Sequence, residues 1–441
     1  MTIQALSFRK IVLKTSILLA LIIVFTCSFA CAAGKNYIIM IADGAGFNHF
    51  YAGSIYLSGS PESQVYDDFP VKLAMSTYPY GGEYDTNKIW TDFDAAKSGA
   101  TDSAAAATAM ACGVKTINGT IGMDHDKKPV KNILEIAKEY NKSTGVITTV
   151  GFSHATPAGF AAHAENRSHF YIIANQMINK SDLDVIIGAG HPYYDNDSNK
   201  IETPNFSFFG NEKLYKELST GKAGGNRPWT FIENREDFVK LSSGGTPERL
   251  FGLAKIPASL QFYRKNIENP EPFTAPLIDS VPTLAEMSLA GLNVLGKNEN
   301  GFVVMIEGGA IDAAGHGNNS VRLIEEQVDF VKAIDAVCEW IEKNSSWEDT
   351  LLIITADHET GHLTGPGSNP AWNPLVNNGK GNLPGMQWHS RGHTNHLVPF
   401  YAKGKDANLF VEKHIVAEDK IRGKYIDNTS ISKVIAESMA K

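Results

Sequence analysis

The sequence predicts an α/β fold with three layers, in which a large, mostly parallel central sheet lies between helices. Runs of four or more apolar residues recur along the chain, and such runs are typical of strands buried on both faces of a parallel sheet. Helical patterns, with an apolar residue every three or four positions, separate these runs. This alternation indicates a parallel sheet that is covered by helices on both sides.

Six segments are predicted to be strands of this sheet. They are Asn36–Ala42, Gly145–Val150, Val185–Ile187, Gly301–Glu307, Leu351–Ala356 and Leu397–Ala402. The clearest helical patterns are Val130–Tyr140 and Ser320–Asn344. Two ranges rich in Gly, Pro and Asn, about 195–276 and about 365–388, break the alternation. We expect both to be loop insertions near the mouth of the functional site, within one domain over residues 34–441.

Residues 1–33 are typical of an export signal peptide. A basic stretch that ends at Lys14 precedes the apolar run Ile17–Phe25, and Ala30-Cys31-Ala32 offers small residues for cleavage. We therefore expect the mature protein to be periplasmic or secreted. Two alternatives stay open. The apolar run could persist as a membrane anchor, and Cys31 could carry the lipid of a lipoprotein, which would tether the protein to a membrane.

Composition argues against nucleic acid as a partner. The formal net charge is −8 at pH 7, and no basic patch stands out. An acidic surface opposes tight binding to a phosphate backbone. An anionic small-molecule substrate would have to be attracted by cations within its own site.

Two cysteines, Cys112 and Cys338, lie beyond the signal region, each in a helix-like segment. Two buried thiols are the simpler interpretation of these residues. The sequence nevertheless leaves a disulfide bond between them open, because an exported protein folds where such bonds can form.

Acidic and histidine side chains follow three of the predicted strands at their carboxyl ends. They are Asp43, Glu307, Asp312, His316, Asp357 and His358. Open α/β sheets bind ligands beyond the carboxyl ends of their strands, so these side chains should meet in one crevice. Their like charges would repel one another unless cations lay between them. The sequence therefore predicts a site for several metal ions.

Ser103 is the candidate nucleophile. It precedes the alanine-rich run Ala104–Ala111, which favours a helix that ends at Gly113. A residue in the first turn of a helix lies beside free N–H groups and the positive end of the helix dipole, which favour a phosphate. The alternative is that Asp102 or Ser103 serves only as the N-cap of this helix.

Seven segments resemble the alkaline phosphatase family, in the order in which that family has them. They are Ile41-Ala42-Asp43-Gly44, Thr101-Asp102-Ser103-Ala104-Ala105, Gly113-Val114-Lys115-Thr116, Ser153-His154-Ala155-Thr156-Pro157-Ala158, Glu307-Gly308-Gly309-Ala310-Ile311-Asp312, Thr355-Ala356-Asp357-His358 and Gly392-His393-Thr394. The resemblance extends from residue 37 to about residue 402. It implies an alkaline-phosphatase-like fold and hydrolysis of small phosphate monoesters, and a homodimer is one assembly it allows.

The resemblance also implies the roles of individual residues. Ser103 would be phosphorylated during turnover, and Arg167 would bind two phosphate oxygens. One zinc ion would be held by Asp312, His316 and His393. The second zinc ion would be held by Asp43, Asp357 and His358. One magnesium ion would be held by Asp43, Thr156 and Glu307. These donor types suit the ions, because zinc accepts imidazole and carboxylate whereas magnesium prefers oxygen ligands.

Some of these assignments have open alternatives. His396 could replace His393 as a ligand, and Arg167 could be a solvated or salt-bridged arginine at a helix end. His362 is expected to lie behind the metal ligands or on the surface. His154 stands where some bacterial members carry aspartate, so it would lie beside the magnesium ligands. We expect it to weaken magnesium binding or to let zinc compete.

Two other functions are compatible with parts of this pattern. The same scaffold and metals could serve a hydrolase of phosphodiesters, phosphonates or sulfate esters. The sulfatase version is disfavoured because Thr101–Ala105 lacks the Cys/Ser-x-Pro-x-Arg signature. A metal-loaded binding protein without activity is the third alternative, but no nucleophile or ligand of the pattern is missing.

Overall fold

The structure is a computed structural model that describes residues 34–441 except 267 and 269. The predicted signal peptide and Cys31 lie outside the described residues. Eleven strands form the central sheet, in the order β14-β15-β2-β13-β8-β1-β7-β3-β4-β6-β5. The strands are β1 (Asn36–Ala42), β2 (Val71–Ser76), β3 (Ser143–Gly151), β4 (Val185–Ala189), β5 (Thr230–Ile232), β6 (Leu250–Leu253), β7 (Phe302–Gly308), β8 (Thr350–Thr355), β9 (Glu359–Thr360), β10 (Leu363–Thr364), β11 (Gln387–Trp388), β12 (His393–Thr394), β13 (Val398–Gly404), β14 (Ile415–Asp419) and β15 (Gly423–Asp427).

Helices and short helical turns connect these strands. They are α1 (Phe47–Ser58), a 3-10 turn (Val65–Asp68), α2 (Phe93–Lys97), α3 (Ser103–Cys112), α4 (Ile133–Glu139), α5 (Ala155–Ala161), α6 (Phe170–Asn175), a π turn (Gln176–Lys180), α7 (Glu212–Ser219), α8 (Arg235–Ser242), α9 (Leu284–Leu295), α10 (Ala310–Gly317), α11 (Ser320–Asn344), α12 (Leu409–Lys413) and α13 (Ser430–Met439). In the described part of the chain, none of them combines the length and apolar character needed to cross a membrane.

The centre of the sheet is parallel and fully buried. Strand β1 pairs in parallel with β7 on one side and with β8 on the other, and every residue of the three strands is buried. The register aligns Ala42 with Gly308 and Ile41 with Thr355. The residues that follow these strands therefore emerge at the same edge of the sheet. The predicted mostly parallel α/β fold is confirmed, with β13 and β14 as the antiparallel members.

All six predicted strands are present, and their ends differ from the prediction by two residues at most. The helix predicted from Val130 begins at Ile133, because the Asn132 side chain caps it by accepting hydrogen bonds from the N–H groups of Leu134 and Glu135. The range 195–276 supplies β5 and β6, which extend the central sheet at one edge. The description of this range and of 365–388 as insertions stays a prediction.

Small residues bring α3 and α5 unusually close together. Ala104, Ala105, Ala106 and Ala107 are all buried. A Cβ atom placed on Gly159 of α5 would lie only 2.7 Å from that of Ala107. The two backbones can approach because neither helix carries a bulky side chain at the contact. The helix that begins at Ser103 is thereby held directly against the helix that contains Thr156.

The two cysteines of the described chain are free thiols. Cys338 is buried and Cys112 is half-buried. Burial raises the pKa of each thiol to about 12. The prediction of two free thiols rather than a disulfide bond is confirmed, and full burial holds for Cys338 alone.

Candidate active site

Four carboxylates meet where β1, β7 and β8 end. Asp43, Glu307 and Asp357 are fully buried, and Asp312 follows in the first turn of α10. Burial, followed by repulsion from its neighbours, raises the pKa of Asp43 well above its usual value and that of Asp357 to about 8. Carboxylates in such a place are costly unless cations neutralise them.

Gly44 makes this close meeting possible. Its φ is +77°, and a Cβ atom there would lie 2.6 Å from the Cα atom of Asp312. Its backbone N–H donates a 3.0 Å hydrogen bond to Asp357. Only glycine can occupy this position without displacing one of the acidic residues.

Asp43, Asp357 and His358 form one metal-binding group. Their ligand atoms all lie within 4.8 Å of one another. Nε2 of His358 is 3.6 Å from Asp43 and 3.2 Å from Asp357. Among the described residues, both carboxylate oxygens of Asp43 and one of Asp357 have no hydrogen-bond partner. Unpartnered buried carboxylate oxygens fit a bound cation, because such atoms are otherwise hydrogen-bonded.

Asp312, His316 and His393 converge beside this group on the solvent side. Nε2 of His316 lies 3.3 Å from one oxygen of Asp312, and Nε2 of His393 lies 3.5 Å from the other. Nδ1 of His316 donates to the carbonyl of Arg391, and Nδ1 of His393 donates to that of Thr101. These bonds leave both Nε2 atoms with a free lone pair, which is how metal-binding histidines are normally oriented.

The third group comprises Asp43, Glu307 and His154, whose ligand atoms also lie within 4.8 Å of one another. Thr156 lies beside Glu307 without a well-formed hydrogen bond to it, and burial raises the pKa of Glu307 overall. In the part of the chain that the structure describes, Oγ1 of Thr156, Oε1 of Glu307 and Nδ1 of His154 have no hydrogen-bond partner. The donor atoms suit a small hard cation, and His154 stands among them rather than behind them.

Ser103 faces the metal-binding groups from the start of α3. Its Oγ lies 3.3 Å from Nε2 of His358, and its exposed fraction is 1%. Asp102 caps the helix by accepting a hydrogen bond from the N–H of Ala105. The N-cap is therefore Asp102, and the Ser103 hydroxyl is directed at the candidate metals.

Arg167 is anchored beside Ser103. Its guanidinium donates a 3.1 Å hydrogen bond to Asp102 and lies 3.3 Å from Nε2 of His154. Asp102 also accepts from the N–H of Gly119, whose carbonyl accepts from the N–H of Arg167. The arginine is partly exposed, so its remaining N–H groups can reach a ligand.

The structure brings the predicted site residues together. They are Asp43, Ser103, His154, Thr156, Arg167, Glu307, Asp312, His316, Asp357, His358 and His393. His396 does not belong to the metal-binding groups, because its Nε2 faces His362. The expectation that His362 could lie on the surface is wrong, since this residue is fully buried.

Sequence reasoning missed the part played by Thr360. Its hydroxyl donates to Asp312 and accepts from Nδ1 of His358. No apolar period or motif singles out this threonine. Its closeness to Asp357-His358 in the sequence was the one available signal.

Comparisons with known proteins identify the family. The family model described as "Alkaline phosphatase" matches residues 34–386. Alkaline phosphatase 3 of Bacillus subtilis (strain 168) is 32% identical over 337 residues, which cover 74% of this chain and 61% of that protein. The Escherichia coli (strain K12) alkaline phosphatase is 28% identical over 353 residues, covering 74% and 70%. The chain thus spans about three fifths of the length of its B. subtilis relative.

Solved structures give the same answer for the fold. The alkaline phosphatase from the Antarctic bacterium TAB5 superimposes with a TM-score of 0.64 at 26% identity, covering 93% of this chain and 99% of that one. The cold-active enzyme from Shewanella sp. gives a TM-score of 0.66 at 25% identity, covering 92% and 100%. Since the family match extends over most of the residues, the chain belongs to the alkaline phosphatase family.

Proposed function

We propose that the protein hydrolyses phosphate monoesters through a phosphoserine intermediate on Ser103. The position of Ser103 carries this proposal, because its Oγ lies 3.3 Å from Nε2 of His358 within a group of buried carboxylates. A serine hydroxyl is a poor nucleophile until a base or a metal lowers its pKa. The free N–H groups at the start of α3 would also favour a phosphate there.

We propose two zinc ions and one magnesium ion as cofactors. Imidazole and carboxylate ligands in the first two groups suit zinc, and the oxygen donors of Asp43, Glu307 and Thr156 suit magnesium. A variant of the TAB5 enzyme with aspartate in place of a histidine has been solved with magnesium in its M3 site. His154 adds an imidazole to the third group here, which would let zinc compete with magnesium.

Each of the site's side chains has a separate role in the proposed reaction. When bound, the zinc ions would lower the pKa of the serine hydroxyl and of a water molecule. Ser103 Oγ forms a bond to phosphorus while the bond to the leaving oxygen, in line with it, breaks. The proton that the serine loses ends on the leaving oxygen, which departs as the alcohol. Arg167 binds two of the remaining oxygens, and Asp102 orients it. Water then attacks the phosphoserine, which releases inorganic phosphate and restores the hydroxyl.

We further propose that the protein is exported and acts on small phosphate monoesters outside the cytoplasm. The signal-like composition of residues 1–33 supports export. A lipid on Cys31 and a homodimer are open parts of this proposal. Arg167 favours monoesters over diesters, because a monoester has one more charged oxygen for the guanidinium to bind.

Mass spectrometry after a brief acid quench with an aryl phosphate tests the mechanism. Wild-type protein should carry phosphate on the peptide that contains Ser103, and Ser103→Ala should carry none. Ser168→Ala removes an exposed serine next to Arg167 and serves as the matched control, with an undiminished phosphopeptide. Undiminished turnover by Ser103→Ala would contradict the proposal.

A further inference from the structure

Two histidines that the proposed mechanism does not use face each other beside the active site. His362 follows His358 by four residues, and His396 follows His393 by three. Their Nε2 atoms lie 3.4 Å apart. Both residues are buried, with exposed fractions of 0% and 5%.

The spacing of the two nitrogen atoms is that of two ligands on one ion. Zinc–nitrogen bonds of about 2.0–2.1 Å at a tetrahedral angle place two ligand atoms about 3.4 Å apart. A direct hydrogen bond from a ring N–H is normally shorter, about 2.9–3.0 Å. In the candidate active site, Nε2 of His316 and Nε2 of His393 are separated by 3.1 Å. The Nε2 atoms of His362 and His396 are therefore separated by nearly the same distance as those of His316 and His393.

The backbone of His362 is strained. Its φ is +51°, a region that favours glycine. Such strain is commonly found where a side chain has a specific task. Here it directs an imidazole into a buried cluster.

Unsatisfied polar atoms surround the pair. Trp372 packs on both histidines, with ring centroids 5.5 Å from His362 and 4.9 Å from His396. Within the described residues, Nε1 of Trp372 and Nδ1 of His362 are buried without a hydrogen-bond partner. Because buried N–H groups are normally paired, a bound water molecule is expected in this cluster.

A cavity with room for about one water molecule borders His396, although His362 does not line it. This cavity of about 10 Å³ is lined by His396, Trp90, Trp372, Glu359 and Arg422. A groove of about 330 Å³ shares Trp90, Trp372 and Arg422 with it. The Glu359 carboxylate attracts a cation to the cavity, whereas the Arg422 guanidinium opposes one. Binding should therefore be weaker here than among the carboxylates of the active site.

We propose that His362 and His396 bind a further zinc ion, whose coordination is completed by water. The two histidines lie just beyond strands β9 and β12, which pair with each other through Thr360 and His393. A zinc ion between the two rings would fasten this two-stranded ribbon at a second point. Its role is to hold His358 and His393 in place, and it takes no part in the reaction.

Zinc stoichiometry tests the proposal. The full-length protein, saturated with magnesium, is dialysed against increasing free zinc and analysed by mass spectrometry of the metals. The wild type should bind one more zinc ion per chain than His362→Gly, whose backbone fits the local φ, and than His396→Gln. His414→Gln alters a histidine outside this cluster. It is the control and should bind as much zinc as the wild type.

Anomalous diffraction at the zinc edge gives a readout that is independent of activity. A peak should lie between the two Nε2 atoms in the wild type. Once the active site is saturated with zinc, further zinc should raise the melting temperature of the wild type and the control, but not that of the two variants. Equal zinc content in the wild type and both variants would overturn the proposal. So would an additional ion located anywhere else. Failure of the phosphatase assay would leave this comparison intact, because the difference in zinc content does not depend on turnover.

Discussion

The hydroxyl of Thr360 donates a 2.6 Å hydrogen bond to a carboxylate oxygen of Asp312. The same hydroxyl lies 3.2 Å from Nδ1 of His358 and accepts a hydrogen bond from its N–H. One side chain thus orients a ligand of each candidate zinc ion. The Thr360 carbonyl in turn accepts from Nε2 of His49, a buried residue of α1.

Thr360→Val should weaken zinc binding while preserving the shape of the side chain. Partners that orient metal ligands typically contribute about 10–100-fold to affinity, and we expect a loss in that range. Competition with a chromogenic chelator measures it. Thr350→Val is the control, because Thr350 begins strand β8 at the end away from the candidate metal site. It should retain the wild-type affinity. An unchanged affinity in Thr360→Val would show that Asp312 and His358 hold their orientation without it.

Arg167→Ala should reduce kcat/KM for phosphate monoesters more than for diesters. Hydrogen bonds to a charged group contribute about 1.5–3 kcal/mol, which corresponds to roughly a 10–100-fold loss for the monoester. Steady-state assays with matched aryl mono- and diesters measure both losses. Equal losses on the two substrates would contradict a role in recognising the additional charged oxygen.

His154→Asp should bind magnesium more tightly than the wild type. The substitution exchanges an imidazole for a hard oxygen ligand and adds negative charge beside Asp43 and Glu307. Burial lowers the pKa of His154 to about 4, so the wild-type ring is neutral at pH 7. Magnesium titration of the zinc-loaded protein measures the change, with His163→Asp as a control outside the metal groups. Tighter binding by the wild type would reject this prediction.

Glu326→Gln should stabilise the protein at alkaline pH. Burial, followed by repulsion from Asp329 and Glu325, raises the pKa of Glu326 to about 8. The pKa of a glutamate in the unfolded chain is near 4.3. When folding raises it to about 8, the protein loses stability as the pH increases between these two values. Glutamine does not ionise, so the variant avoids this loss of stability, which amounts to about 1.4 kcal/mol for each unit by which the pKa is raised.

Chemical denaturation at pH 5 and pH 9 checks this prediction. The free energy of unfolding should be higher in Glu326→Gln than in the wild type at pH 9, by roughly 2 kcal/mol or more, and the difference should shrink at pH 5. Glu236→Gln, at an exposed position on α8, should follow the wild type at both pH values. Parallel pH profiles for Glu326→Gln and the wild type would show that Glu326 does not titrate in this range.

The centre of the fold could be predicted because burial leaves a clear trace in the sequence. Strands β1, β7 and β8 are covered on both faces, so they appear as unbroken apolar runs. Strands β5 and β6 were not predicted. Thr230–Ile232 is partly exposed at the sheet edge, and Leu250–Leu253 is short and interrupted by Gly252, so neither has the length of a clear strand signal.

The meeting of Asp43, Glu307 and Asp357 at one site could be predicted because these residues lie where strands end at one edge of the sheet. The division of the ligands into three groups came from the family resemblance. The supporting contacts could not be predicted, since they depend on three-dimensional neighbours that no spacing reveals. Asp102 was considered as a helix cap, yet it also anchors Arg167. His362 was expected behind the ligands or on the surface, and only its buried contact with His396 shows where it belongs.

The contact between Ala107 and Gly159 has a consequence for how this protein can change. Neither residue has a reactive atom, yet their lack of bulk sets the distance between the helix that begins at Ser103 and the helix that contains Thr156. Adding a methyl group at Gly159 would force the two helices apart and shift Ser103 relative to the candidate metal-binding groups. Larger side chains at these two inert positions should therefore disturb the site, although neither residue belongs to it.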